Sequence, residues 1–403
     1  VASKLDGQAM LLLVIHWLFG IASALSGTFI PVYLWKASQS FMLIGWYTFG
    51  QYIASITIFW LAGKWVKSKG KMYCLRLGIL LSGIFYLTVL LLGEQAKGYG
   101  IGLGVINGMA LGFYWLAYNV VYFEVTEPDT RDRFNGWMGL LGSLSGMIAP
   151  WISGIIIIAF KDEKGYSIIF TISLAIFIIS VVLSFWLKRR ESVGVFKWNY
   201  GFKQLAEKGN HWRFMFAANV TQGVREGVFL FLVGLTVYLA TQNESKLGTY
   251  TLVTSLVALI SFWLTGKRLS DRNRKVAMLI GACMLGAVIL PLFWSMSYTS
   301  LLIFGIGTSL FMPLYTIPMT SKVFDLIGQS EGNAKYREEL IILRETGLVL
   351  GRVIGLSAYL IVLSWSQTTT TITWLLFAVG ITPIASWWFM RPFLLKKPTV
   401  HTD

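Results

Sequence analysis

Apolar runs of about twenty residues recur along nearly the whole chain, and no other feature restricts its fold as much. Coiled as a helix, each run covers the roughly 30 Å of hydrocarbon in a bilayer, where a helix satisfies its own backbone hydrogen bonds. Twelve such spans follow, over residues 9–34, 40–63, 72–93, 97–123, 134–160, 166–187, 213–240, 246–265, 276–296, 298–324, 338–364 and 368–390. Charged residues fill 13% of the 403 positions, about half the share of a soluble domain, so an all-α membrane protein is expected. The longest mostly polar segment, 187–213, is too short for a core of its own and reads as a linker with one amphipathic helix.

The chain also repeats itself. Residues 44–86 and 247–289 align without a gap at an offset of 203, matching Gly45, Tyr47, Thr48, Phe59, Trp60, Leu61, Gly63, Lys64, Gly78 and Gly83 with Gly248, Tyr250, Thr251, Phe262, Trp263, Leu264, Gly266, Lys267, Gly281 and Gly286. Six spans precede the linker and six follow it. The organisation expected is therefore an N-terminal six-helix bundle over 1–188, a cytoplasmic linker over 189–212 and a C-terminal six-helix bundle over 213–403, a parallel duplication of the kind on which transporters rock around a midplane site.

The net charge of +15 would suggest nucleic acid in a soluble protein, but the placement of the charges excludes that partner here. Lys and Arg crowd into alternate loops, at Lys64–Arg76, Arg131–Arg133, Lys188–Arg190, Lys267–Lys275 and Lys335–Arg337, which predicts a multi-pass protein of the cell membrane with both termini cytoplasmic. The excess faces cytosol and anionic lipid headgroups. Cys74 and Cys283 lie inside apolar spans, so no disulfide framework and no metal site is expected. The chain opens at Val1 without a methionine or a signal-like segment, and its first residues are read as a cropped or processed end.

After the second span stands "GKWVKSKGKM", with Gly63, Gly70 and Lys71, and after the eighth "GKRLSDRNRK", with Gly266, Arg274 and Lys275. The fifth span carries small residues and a proline at Gly136, Ser145, Ala149, Pro150, Ser153 and Gly154. On these motifs the chain resembles the major facilitator superfamily over essentially its full length. The resemblance implies twelve transmembrane helices in two pseudo-symmetric bundles, alternating access and a fold that works as a monomer. The family's loop reads Gly-x-Leu-Ala-Asp-Arg-x-Gly-Arg-Lys, and this chain departs from it by placing Lys67 where the Asp belongs. The fifth span is similar to the family's exporter pattern, while ordinary membrane packing explains small residues at such spacing equally well. The helix-4 arginine of proton-linked drug exporters is replaced by Gly104, three residues before Asn107-Gly108.

Charged residues deep in a bilayer are costly, about 2.5–3.5 kcal/mol each on insertion scales, so each requires a partner, a cavity or a function. The seventh span reads "TQGVREGVF": Gln222, Arg225 and Glu226 lie near the midplane, between Gly223 and Gly227, which would let the helix unwind locally. Neighbouring residues on a helix point about 100° apart, so Arg225 and Glu226 are not expected to neutralise each other. They fit a substrate or coupling role, or an ion pair with the eleventh span. There Glu338, Glu345 and Arg352 recur every seven residues on one stripe, with Arg344 beside it. Arg352 is the better substrate candidate. Arg344 and Glu345 read as gating residues, the family resemblance implying that Glu345 meets Lys67, Lys69 and Lys71 of the basic loop.

His16 in the first span could carry a proton or simply be hydrogen-bonded packing. Tyr114, Tyr118, Asn119 and Tyr122 form a polar-aromatic stripe on the fourth span, matched in the tenth by Tyr315 at an offset of 197 from Tyr118, and suit either a flat organic ligand or packing. The deep charges, Arg225, Arg344 and Arg352 against Glu226 and Glu345, lean positive by one. That lean favours an anionic or zwitterionic solute, with Glu226 as the protonatable coupling group. No phosphate-binding Gly-x4-Gly-Lys loop exists, and no cofactor is implied. Secondary active transport of a small organic solute, driven by an ion gradient and with export favoured, is the expectation. A lipid or glycolipid translocase of the same fold is the alternative. A membrane-embedded enzyme would need a polar catalytic cluster, whereas only three histidines exist, with His211 and His401 outside the spans.

Overall fold

The computed structural model describes residues 5–66, 70–126, 128–160, 163–188, 197–207, 210–269, 272–328 and 336–394, and among them every regular element is helical. In chain order the α-helices are α1 (Gly7–Gly27), α2 (Ile30–Ser38), α3 (Phe41–Trp65), α4 (Lys71–Leu92), α5 (Gly100–Val125), α6 (Pro128–Ala159), α7 (Glu163–Ser184), α8 (Tyr200–Ala206), α9 (His211–Thr241), α10 (Glu244–Arg268), α11 (Arg274–Ala287), α12 (Tyr298–Gly328), α13 (Arg337–Trp365), α14 (Thr369–Gly380) and α15 (Thr382–Met390). Two 3-10 turns, Gly93–Gly98 and Leu290–Phe293, follow α4 and α11.

Among the described residues eleven helical spans are long and apolar enough to cross a membrane. The remaining long helix, α3, has 25 residues, but Gln51 and its tyrosines dilute its apolar character, so the expected count of twelve stands at eleven by composition. Prolines explain where other expected spans divide. Pro31 and Pro383 have no N–H to donate, and each sits in the first turn of a new helix, splitting the first span into α1 and α2 and the last into α14 and α15. By contrast Pro150 lies inside an unbroken α6, and Pro313 and Pro318 lie inside α12. α6 also starts six residues earlier than expected, at Pro128, a residue suited to the first helical position.

The chain forms two compact units, Val1–Val195 with Gln242–Leu252, and Phe196–Thr241 with Val253–Asp403. In the first, α5 lies on α3 through glycines four residues apart. A Cβ on Gly104 or Gly108 would run into the carbonyls of Tyr47 and Gln51, and one on Gly112 would meet Ile58 Cβ at 2.8 Å. This explains the departure from the exporter marker, because an arginine at 104 has no room. In the second unit α9 and α13 use the same device. Gly223 and Gly227 abut the backbone at Leu348 and Arg352, while Gly351 and Gly355 abut the carbonyls of Val220 and Val224. The expected unwinding at Gly223 and Gly227 does not occur: α9 runs unbroken from His211 to Thr241, and its glycines serve close packing instead.

The repeat has a structural meaning of the same kind. Gly78 of α4 receives the backbone of Tyr114 on α5, and Gly281 of α11 receives that of Tyr315 on α12. Tyr315 therefore corresponds to Tyr114, at an offset of 201, and not to Tyr118 as expected. A third glycine contact involves α6 and the start of α10, both in the first unit. A Cβ on Gly154 would stand 2.6 Å from the Glu244 carbonyl, and one on Gly248 2.8 Å from that of Pro150. Gly136, in contrast, has nothing within 4 Å of an added Cβ; Ser145 donates to Leu141 O at 2.8 Å, and Ala149 is buried.

The linker helix α8 docks on α13 in the second unit. Lys197 N–H donates to Glu339 Oε1 at 3.0 Å, and the Tyr200 and Tyr336 rings lie 4.3 Å apart. Burial, with Tyr336, Glu207 and Glu339 nearby, raises the Tyr200 phenol above its usual range.

Gly351→Leu is expected to lower the stability of the purified protein by about 1–3 kcal/mol, the ordinary cost of overpacking, whereas Gly136→Leu should leave it unchanged. Thermal unfolding in detergent distinguishes the two.

Candidate functional site

α9 and α13 approach closely enough for side chains at their middles to meet. Glu226 Oε2 accepts from Arg352 Nη2 at 2.8 Å and Nε at 3.2 Å, and Gln222 Nε2, one turn earlier on α9, donates to Oε1 at 2.7 Å. The pair is partly buried, with side-chain exposures of 24% for Arg352 and 18% for Glu226, so its charges remain reachable by a solute. Arg225 points elsewhere and is 5% exposed. Its Nη1 lies 3.8 Å from Met312 Sδ on α12, and its guanidinium lies 4.2 Å from the Phe229 ring centroid. Both are soft, polarisable neighbours for a guanidinium. Tyr315, on α12, is buried within electrostatic reach of both Arg225 and Glu226, with its hydroxyl beside that of Ser386 on α15. Nδ2 of Asn219, 1% exposed on α9, makes no hydrogen bond among the described residues.

Gln222, Arg225, Glu226, Arg352 and Tyr315 thus belong to one cluster in the second unit, and the ion pair between the seventh and eleventh spans, the alternative to a substrate or coupling role, is present. Sequence reasoning missed Phe229, Met312 and Asn219, since nothing in a string of apolar residues marks which will face a buried guanidinium. It also missed a legible signal, Gly347, Gly351 and Gly355 at four-residue spacing on α13.

His16 and Tyr118 lie in the first unit. The imidazole Nδ1 and the Tyr114 hydroxyl are 2.8 Å apart, and the ring stacks on Tyr118 at 4.2 Å. Tyr118 and Tyr122 stack in turn at 6.3 Å, and the Tyr118 hydroxyl donates to Met138 Sδ at 3.0 Å. His16 is therefore a hydrogen-bonded member of an aromatic stack. Asn119 is half-buried and makes no hydrogen bond among the described residues.

Of the gating set, Arg344 Nη1 pairs with the adjacent Glu345 Oε1 at 2.7 Å. Two long side chains have met where the angle between neighbours argued against it. Lys67 and Lys69 lie outside the described residues, as do the side chains of Arg131 and Arg133. Gly63 is buried, Gly70 leaves space that the Trp65 indole fills, and Lys71, the first residue of α4, is 1% exposed.

Two helical units built on one repeated sequence, with an ion pair held at membrane depth, define a multi-pass membrane transporter. Residues 12–331 match the major facilitator superfamily, and the chain belongs to that family. It is accordingly a secondary transporter of a small molecule and not an enzyme. It is 37% identical over 388 residues to the uncharacterized protein YqgE of Bacillus subtilis (strain 168), covering 96% of this chain and 90% of that protein. It is 40% identical over 173 residues to an uncharacterized protein in the sodM 3' region of Geobacillus stearothermophilus, covering 41% of this chain and 81% of that one. Among solved structures the fold is similar to the nucleoside transporter NupG, solved as a point mutant (TM-score 0.72, 15% identity, 96% of this chain and 100% of that one). It is also similar to a D-xylose–proton symporter (TM-score 0.70, 12% identity, 98% and 99%) and to a bacterial homologue of the iron transporter ferroportin in its inward-facing state (0.68, 16%, 98% and 100%).

Removing one partner of the Glu226–Arg352 pair leaves a charge in a poorly hydrated place. Arg352→Met is expected to destabilise the protein by about 1.5–3 kcal/mol, and Arg352→Met with Glu226→Met to recover much of that loss. A double-mutant cycle by thermal unfolding reads the difference.

Proposed function

We propose that this protein transports a small organic solute with an anionic group, either an anion or a zwitterion, by alternating access coupled to protons, as a monomer in the cell membrane with cytoplasmic termini. The observation that carries the proposal is the cluster on α9, α12 and α13: Arg352 held by Glu226, with Arg225 beside it in a setting of a thioether and a phenyl ring. A guanidinium suits bidentate recognition of a carboxylate, and this cluster brings two of them into one part of the second unit. The buried Asn219 amide adds a donor for the solute.

Coupling follows from competition. While ionised, Glu226 occupies Arg352 and accepts from Gln222. A proton on Glu226 removes the negative charge that holds Arg352, and the guanidinium then turns to the solute's anionic group. Loss of the proton restores the pair and weakens solute binding. Because proton and solute bind together in this scheme, it is a symport, which an inward proton gradient drives toward uptake; the exporter-like small residues of α6 serve packing, with Gly154 against the start of α10.

In proteoliposomes, Glu226→Gln should abolish the dependence of flux on a pH gradient while solute binding persists, and Arg352→Ala should weaken binding roughly ten- to a hundredfold, the worth of a charge-assisted hydrogen bond. Unchanged gradient-driven flux in Glu226→Gln overturns the coupling role. Stabilisation of the wild type by lipids alone, with Arg352→Ala and Arg225→Ala both behaving like the wild type, would transfer the assignment to a lipid translocase.

A further inference from the structure

The first unit contains a polar concavity at the end of α3 and α4 opposite Lys64 and Lys71. It has a volume of about 370 Å³ and is lined by Tyr33 and Lys36 of α2, Glu94 and Lys97 of the 3-10 turn after α4, and Glu163 and Tyr166 of α7. The Tyr33 and Tyr166 rings, 5.2 Å apart, form one wall. Glu163 and Glu94 both act electrostatically on the Tyr33 phenol, which gathers two carboxylates beside that ring. Lys36 Nζ lies 3.1 Å from Oε1 of Glu244, and the Tyr166 hydroxyl donates to the same oxygen at 3.1 Å, contacts that fix the tyrosine wall. Glu94 and Lys97 stand three residues apart on a 3-10 turn and so share one face of it. Neither they nor Glu163 make an ion pair among the described residues.

Helix length gives the pocket its depth in a bilayer. α4 and α7 have 22 residues each. At the rise of an α-helix that is about 33 Å, enough to cross the hydrocarbon core. Glu94 and Lys97 follow the last residue of α4, and Glu163 is the first residue of α7, so all three charges stand just beyond the hydrocarbon on one side. Leu91, Tyr99 and Phe160, which flank them in the chain, are exposed. In a membrane such apolar side chains face lipid, and the tyrosines occupy the interfacial level where their rings are favoured. The pocket therefore lies among lipid head groups.

Its chemistry selects among them. Lys97 supplies a cation for a phosphate, and Glu94 and Glu163 supply acceptors for the N–H groups of a primary ammonium, to which the tyrosine rings add cation–π attraction. A head group with negative charge alone would meet two carboxylates that repel it. A quaternary ammonium has no N–H to donate to them. No group of three metal-ligating His, Cys, Asp or Glu side chains occurs among the described residues, so the carboxylates do not form a metal site there.

We propose that this pocket binds a phosphoethanolamine group, supplied by a bilayer phospholipid: the ammonium sits between Glu94 and Glu163 against the tyrosine wall, and the phosphate pairs with Lys97. Lys36 keeps its contact with Glu244. The bound group ties α2, the turn after α4 and the start of α7 to one another and stabilises this end of the first unit. The site goes beyond solute transport, since it requires nothing of the cluster on α9, α12 and α13.

The test is thermal unfolding of the full chain in detergent as a phospholipid is added. Phosphatidylethanolamine should raise the unfolding temperature more than phosphatidylcholine or phosphatidylglycerol with the same acyl chains. Glu94→Gln with Glu163→Gln, and separately Lys97→Gln, all at exposed positions, should leave the lipid-free protein as stable as the wild type and weaken the apparent affinity for phosphatidylethanolamine about tenfold. Arg352→Ala should leave the lipid effect intact. Soluble O-phosphoethanolamine separates the sources: no stabilisation by it supports the lipid, whereas stabilisation that the glutamine variants abolish keeps the site and overturns the lipid as its source. Equal stabilisation by all three lipids, a preference for phosphatidylethanolamine that survives the glutamine variants or is lost in Arg352→Ala, or no effect of either lipid or O-phosphoethanolamine overturns the proposal.

Discussion

The close contact of α9 with α13 is the constraint on which the charged site depends. Glycines at 223 and 227 on one helix and at 351 and 355 on the other let the two backbones touch. At that separation the Glu226 carboxylate reaches Arg352 directly, with Gln222 on its other oxygen. Ordinary side chains at these positions would push the helices apart and leave two charges in hydrocarbon without each other. Association within a bilayer gains little from burying apolar surface, so small residues that permit van der Waals contact do this work.

The same device recurs wherever the fold needs two backbones side by side. α3 and α5 meet through Gly104, Gly108 and Gly112, α4 receives Tyr114 at Gly78, α11 receives Tyr315 at Gly281, and α6 meets the start of α10 through Gly154 and Gly248. Gly78, Gly248 and Gly281 are positions at which the two halves of the sequence agree, which gives the duplication a mechanical sense. Helix termini follow a different rule. Pro31 and Pro383 divide spans because each begins a helix, while Pro150, Pro313 and Pro318 are absorbed within helices whose neighbours supply packing.

The two units carry different chemistry. The first stacks His16 with Tyr114, Tyr118 and Tyr122 and has a pocket of mixed charge at one end. The second has an ion pair at mid-helix and an arginine among soft side chains. Repeat symmetry therefore holds for the scaffold and not for the site. Gly281 repeats Gly78 and Tyr315 repeats Tyr114, yet Arg225, Glu226 and Arg352 have no charged counterparts in the first half.

By itself the sequence determined the class of fold. Hydrocarbon thickness sets the length of every apolar run, and the energy of charge in a bilayer sets where Lys and Arg can stand, so membrane spans, duplication and the short set of deep charges were all legible from residue type and position. Tertiary structure alone decided which of those charges meet. Arg225 and Glu226 are adjacent in the chain, but Glu226 takes Arg352, 126 positions away, and Arg225 takes Met312 and Phe229. It also decided that Gly223 and Gly227 pack instead of unwinding, and that Glu244, read from the chain as a polar residue between spans, is nearly buried against Lys36 and Tyr166. The physical reason is common to all three. Hydrophobicity and periodicity act along one helix, whereas ion pairing and backbone contact act across the gap between two, and the width of that gap depends on every side chain that lines it.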